Sequence, residues 1–149
     1  ALENGKVSKY ITDFPDAEAI NTPNIIAVPH LGASTQESET NCAVMAVEQM
    51  REYIENGNII NSVNFPAAQM ERHDGARILI ANKNVPNMVS QITTILAGAD
   101  VNIAAMLNRN CNDIAYNIID VYRKEVDEDI VNKLKEVDGI FMVRVLPKQ

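Results

Sequence analysis

The chain has 149 residues, with 13 Lys and Arg against 20 Asp and Glu, for a formal net charge of -7. That balance argues against a nucleic-acid partner, which needs clustered cations to neutralise phosphate. No apolar run approaches the roughly 18 residues of a membrane span, so no membrane partner is expected. No two of the six glycines lie closer than Gly57 and Gly75, which excludes both G-x-G-x-x-G and the P-loop from this sequence.

A hydrophobic content of 46% is that of an ordinary globular chain. The N-terminus carries no signal-peptide pattern, and Cys42 and Cys111 fall inside apolar-periodic segments. Reduced, buried thiols and a cytoplasmic location are therefore expected. Two histidines without a Cys-x-x-Cys give no basis for a metal site.

Ile25-Ile26-Ala27-Val28, closed by Pro29, reads as a buried strand. Ser34 with Glu37 fits a capping box that opens a long helix. Apolar positions Val44, Val47, Met50, Tyr53 and Ile54 follow at helical spacing, and Asn56-Gly57 stops it. Residues 58–75 form an extended linker, ending in the polar run Glu71-Arg72-His73-Asp74-Gly75. From residue 76 the elements are more regular. Ile78-Leu79-Ile80-Ala81 is the heart of a strand, and Asn82 to Asn87 a turn. Met88, Val89, Ile92, Ile95 and Leu96 mark a helix face stopped by Gly98. Val101 to Leu107 and Ile114 to Tyr122 read as a hairpin, joined by a turn built from Asn108 to Asn110 with Asn112-Asp113. Asp127 to Val137 is an amphipathic helix, and Ile140 to Leu146 the last strand. The order is βαββαβ, a ferredoxin-like arrangement. A domain this small is expected to gain burial by pairing through an edge strand.

Pro29-His30-Leu31-Gly32-Ala33-Ser34-Thr35 is the sharpest local feature. A histidine between a strand end and a helix mouth is where α/β enzymes present groups to ligands. It can serve as a general base near neutrality, or be an ordinary loop histidine held by the backbone.

With Gln36-Glu37, this stretch resembles the P-H-[LI]-G-[AG]-S-T-x-E signature of the phosphoglycerate-oxidising branch of the D-2-hydroxyacid dehydrogenase family. Ala1-Leu2-Glu3-Asn4-Gly5 resembles the family's A-L-x-x-G segment, and Asn64-Phe65-Pro66 its N-x-P. Residues 76–149 resemble the ACT regulatory domain appended to many members. The resemblance implies an α+β chain: residues 1–57 would be the tail of a Rossmann-type dinucleotide-binding domain with its exit helix, followed by the linker and the ACT domain. It implies an NAD cofactor, 3-phosphoglycerate as substrate, and a place in serine biosynthesis. His30 would be the acid/base, and Asp13, His30, Leu31, Gly32 and Ala33 would lie against the cofactor. Counting without gaps from Gly5, the family's D-V-F-x-x-E-P motif puts Glu18 as the partner of His30. Aligning Phe14-Pro15 instead removes Glu18 from that role. The family's substrate-binding arginine and glycine-rich fingerprint have no counterpart in these residues, so this chain by itself is expected to be inactive.

ACT domains bind small amino acids where the first strand meets the first helix, often across a dimer. By resemblance, Asn82, Asn84 and Asn102 would contact such an effector, with L-serine the expected ligand. Asn87 stands where the family usually has Gly, and Asn is the residue best able to replace Gly at positive φ. A homo-oligomer through ACT pairing is implied. The alternative is a non-catalytic ACT module that senses an amino acid or dimerises. An RNA-binding reading of the βαββαβ order fails, because the strands lack stacking aromatics.

Overall fold

The computed structural model describes residues 1–32 and 34–148, which divide into two compact units, Ala1–Met45 and Ala46–Gln149. In the first unit, strands β1 (Tyr10–Thr12) and β2 (Ile25–Ala27) pair in parallel, with Thr12 opposite Ala27. Helix α1 (Ala17–Asn21) connects them. Asp16 caps it, its Oδ1 accepting from the Ala19 N–H at 2.7 Å. The Ile25 to Val28 strand, expected to be buried, is open to solvent at Ile26 and Val28. A two-stranded sheet has no layer to cover both faces, which parallel strands normally require.

Helix α2 (Gln36–Asn56) starts two residues after Ser34. Thr35 is its cap in place of Ser34: the Thr35 hydroxyl accepts from the Ser38 N–H at 3.2 Å, at the third helical position. None of its residues is buried. Met45 and Met50 are exposed, and so are Val44, Val47 and Cys42. Cys111 is half-buried. The expectation of buried thiols is therefore corrected: apolar periodicity along a helix identifies a face without saying that anything covers it. Among the described residues no helix is long and apolar enough to cross a membrane.

The second unit is built on a four-stranded antiparallel sheet in the order β4 (Ile103–Cys111), β5 (Ile114–Val121), β3 (Arg77–Lys83), β6 (Ile140–Leu146). Helices α3 (Met88–Gly98) and α4 (Glu128–Lys135) complete the ferredoxin-like βαββαβ fold. The hairpin turn is tighter than expected. β4 runs on to Cys111, and Asn112-Asp113 alone reverse the chain, with Asn112 at φ 51. Asn tolerates that left-handed backbone better than most residues, which lets a two-residue turn close.

Both faces of this sheet are covered. Ile78 and Ile80 pack with Ile92 and Leu96 of α3 and with Ile130 and Leu134 of α4. Leu79 and Ala81 point the other way, against Ile59, Ala68, Phe65 and Met70. The 58–75 stretch thus lies on the sheet and is bridged to itself at Ile59 and Ala68. Continuous apolar runs in β3 and β5 follow from this two-sided burial.

A helix leaves its last four carbonyls without partners. At the end of α2 the sheet unit supplies them. Arg144 donates to Tyr53 at 3.1 Å and also to Ile54, Arg72 donates to Glu55 at 3.1 Å, and Arg77 donates to Asn56 at 2.8 Å. The next carbonyl, of Gly57, accepts from the Tyr116 hydroxyl at 2.8 Å. Gly57 itself sits at φ 69, and a Cβ there would stand 2.3 Å from Leu79 Cδ1. No other residue fits that helix exit.

Arg77 anchors the cluster. It lies opposite Asp120 in the β3–β5 register and pairs with it through two bonds, Nε to Oδ1 at 2.6 Å and Nη2 to Oδ2 at 2.8 Å. Both side chains are buried, at 0% and 1% exposure. Its remaining donors reach the Met70 and Glu71 carbonyls, and Asp120 also accepts from the His73 N–H. Every polar atom of the pair is used, which is the condition under which burying two charges is tolerated.

Candidate functional sites

The parallel register of β1 and β2 brings their C-terminal ends together. Asp13 leaves β1, His30 follows β2 by three residues, and the Val28 N–H donates to the Thr12 carbonyl at 3.0 Å. Ligands of α/β sheets collect at this edge. His30 Nδ1 lies 2.8 Å from Asp13 Oδ2, and both side chains are about half exposed. An ionised carboxylate only accepts, so a neutral His30 ring in this pair has its proton on Nδ1 and its lone pair on Nε2. The Phe14 ring packs against the imidazole with centroids 4.3 Å apart and planes tilted by 39°. Gly32 follows at φ 52, a left-handed backbone that favours glycine.

Asp13 and His30 are thus brought together, with Leu31 and Gly32 following in the chain. Ala33 lies outside the described residues. Glu18 is elsewhere, in the first turn of α1. It lines a separate concavity with Tyr10, Asp16 and Ile25.

The second site lies in the sheet unit, where β3 meets α3. A cavity of about 270 Å³ is lined by Asn82, Asn84, Asn87, Met88, Ser90 and Asn108, among others. Asn87 takes φ 71 and ψ 0 at the mouth of α3 without a side-chain cap bond, so the turn keeps the left-handed backbone expected there. Asn84 is tied across to the Asn112 carbonyl at 3.0 Å.

Asn82 is buried and belongs to a chain of amides crossing three strands. Asn108 Nδ2 donates to Asn117 Oδ1 at 2.6 Å, and Asn117 Nδ2 donates to Asn82 Oδ1 at 2.7 Å. Asn108, expected in the hairpin turn, lies inside β4, and neither it nor Asn117 is assigned to this site by the sequence, because asparagines scattered over 35 positions share no periodicity. Asn102 is not brought to this cavity within one chain. It precedes β4, and its carbonyl accepts from the Tyr122 N–H just past β5. Asn82 pairs with Ala115, near the opposite end of β5.

Together the two units define a mixed α/β chain: a parallel strand pair presenting a carboxylate-held histidine, and a ferredoxin-like domain with an asparagine-lined cavity. The chain belongs to the D-3-phosphoglycerate dehydrogenases, and corresponds to a C-terminal part of them. It is 34% identical to the enzyme of that name from Haemophilus influenzae, over 98% of this chain and 38% of that protein. Against the enzyme from Escherichia coli strain K12 the identity is 32%, over 83% of this chain and 30% of that protein. It therefore spans between 30% and 38% of the length of these relatives. No family model matches the chain.

Among solved structures, the chain is similar to the ACT domain of GTP pyrophosphokinase from Chlorobium tepidum. That likeness has a TM-score of 0.43 and 27% identity, covering 48% of this chain and 95% of that one. It is also similar to the regulatory subunit of aspartate kinase from Thermus thermophilus, with a TM-score of 0.41 and 15% identity over 50% of this chain.

Proposed function

We propose that this chain carries the acid/base histidine and an effector-binding ACT domain of an NAD-dependent D-3-phosphoglycerate dehydrogenase, the oxidation that opens serine biosynthesis. The observation that carries the reading is His30, held through Nδ1 by Asp13, in a sequence that follows these enzymes almost throughout. His30 Nε2 takes the proton of the substrate hydroxyl as the adjacent C–H bond breaks. The imidazolium formed then lies against the Asp13 carboxylate, which stabilises its charge. A nicotinamide, when bound, supplies the acceptor for the hydride. Asp13, His30, Leu31 and Gly32 are the residues of this chain that would lie against it. The glycine-rich turn that cradles dinucleotide phosphates does not occur in this sequence, so turnover by these 149 residues alone is not expected.

In the sheet unit, Asn82 and Asn84 would meet a small amino acid such as L-serine. The N–H groups at the mouth of α3 would receive its carboxylate. Asn102 joins them if two copies pair antiparallel along the β4 edge, since the start of one strand then lies beside the end of the other.

A chimera in which this sequence replaces the matching stretch of the Haemophilus influenzae enzyme tests the catalytic half. It is expected to oxidise 3-phosphoglycerate with NAD, and His30→Ala to lower kcat by roughly 10² or more. Equal turnover with and without His30 would sink the reading. Calorimetry with L-serine tests the effector half. Heat that vanishes in Asn84→Ala supports it, and the absence of heat with serine, glycine or alanine removes it.

A further inference from the structure

From the contact between Asp13 and His30 we infer that Asp13, and not Glu18, is the positioning carboxylate of the histidine. For its part in turnover this rests on the dehydrogenase reading above; the pairing itself does not.

Three observations converge. Asp13 Oδ2 is 2.8 Å from His30 Nδ1, the nitrogen that must be held for Nε2 to face a substrate hydroxyl. Asp13 is itself fixed: it follows β1 directly, and the Phe14 N–H donates to the Thr12 hydroxyl at 3.2 Å, turning the chain at that point. Phe14 then packs on the imidazole, so one dipeptide supplies both the hydrogen bond along the ring plane and the wall on its face.

Glu18 is committed elsewhere for a local reason. Asp16 nucleates α1 immediately after Pro15, and this places Glu18 in the first helical turn, where a carboxylate suits the positive end of the helix. Its walls are those of the concavity shared with Tyr10 and Ile25, to which neither His30 nor Asp13 contributes. The sequence departs from the D-V-F-x-x-E-P pattern at this point. With Phe directly after Asp and Pro next, the stretch turns into a helix before it reaches the glutamate.

The test is magnetic resonance on the 149-residue chain, whose two histidines make the imidazole assignment tractable. In the unaltered protein, the carboxyl carbon of Asp13 is expected to shift as the His30 ring gains its proton, while that of Glu18 does not follow it. In the neutral ring, the ¹⁵N signals are expected to report the Nδ1–H form. Asp13→Ala removes that preference, and Glu18→Ala leaves it. If Glu18 tracks the ring, or Glu18→Ala changes the tautomer and Asp13→Ala does not, the assignment is overturned.

In the chimera, Asp13→Asn is expected to lower kcat by roughly 10² with KM changed far less, because proton transfer is impaired and binding is not. Glu18→Gln is expected to stay within about twofold, as for a group outside the proton path. A chimera without turnover, in a chain whose Asp13 still tracks His30, overturns the dehydrogenase reading and leaves the pairing standing.

Discussion

Tyr116 joins packing and titration in one side chain. Its ring is fully buried, edge-on to Phe65 with centroids 6.1 Å apart, and its hydroxyl donates to the Gly57 carbonyl. Burial pushes the phenol well above its ordinary range, with Tyr53 adding to the effect. The folded state therefore holds the proton more tightly than the unfolded chain does. That contribution is complete below the unfolded value of about 10 and is lost progressively as pH rises beyond it. Tyr116→Phe is expected to cost about 1 kcal/mol at neutral pH through the lost hydrogen bond. It should also flatten the alkaline decline, seen as converging urea midpoints for variant and parent between neutral pH and about pH 11. Midpoints that stay parallel over that range would contradict this account.

Among elements, the end of α2 separates strong from weak interactions. Arg77→Ala leaves Asp120 charged and buried without its partner, an expected loss of about 3–5 kcal/mol. Arg144 caps the same helix from a partly exposed position, with its guanidinium 5.4 Å from the Tyr53 ring centroid. Arg144→Ala is expected to cost only about 1 kcal/mol. Urea denaturation of both variants measures the difference, and equal losses would show that burial does not govern the cluster.

The elements also show what a sequence can disclose. β6 spans the expected Ile140–Leu146, and α3 begins at the expected Met88 and ends at Gly98, the residue read as its stop, because period and stop signals are local. β1 and α1 escaped notice: three residues make no alternation, and five make barely one turn of helix. The arginine caps escaped for another reason, since Arg144 meets Tyr53 across 91 positions. His30 was legible from its motif. Its partner was not, because a count of residues cannot register that Pro15 and Asp16 start a helix.

For the whole molecule, the capped helix end moves the boundary of the stable unit. Contacts divide the chain between Met45 and Ala46, inside α2, and the stretch after Gly57 is anchored on the sheet. Limited proteolysis is therefore expected to leave a core that begins within α2 and runs to the last strand. A stable unit limited to the ACT-like residues 76–149 would give a shorter fragment. Mass spectrometry of the resistant fragment gives the boundary, and a fragment beginning at about residue 76 would refute it.

The same helix end bears on chemical ageing. Asn56-Gly57 is the dipeptide in which an asparagine side chain is most easily attacked by the following backbone nitrogen, closing a ring and losing ammonia. Here the Gly57 N–H is donated to the Tyr53 carbonyl at 3.0 Å, and the Asn56 amide donates to Glu52 Oε2 at 3.2 Å. Nucleophile and target are held in separate hydrogen bonds, so the fold keeps this Asn-Gly dipeptide, unlike the exposed Asn4-Gly5, out of reach of its own backbone.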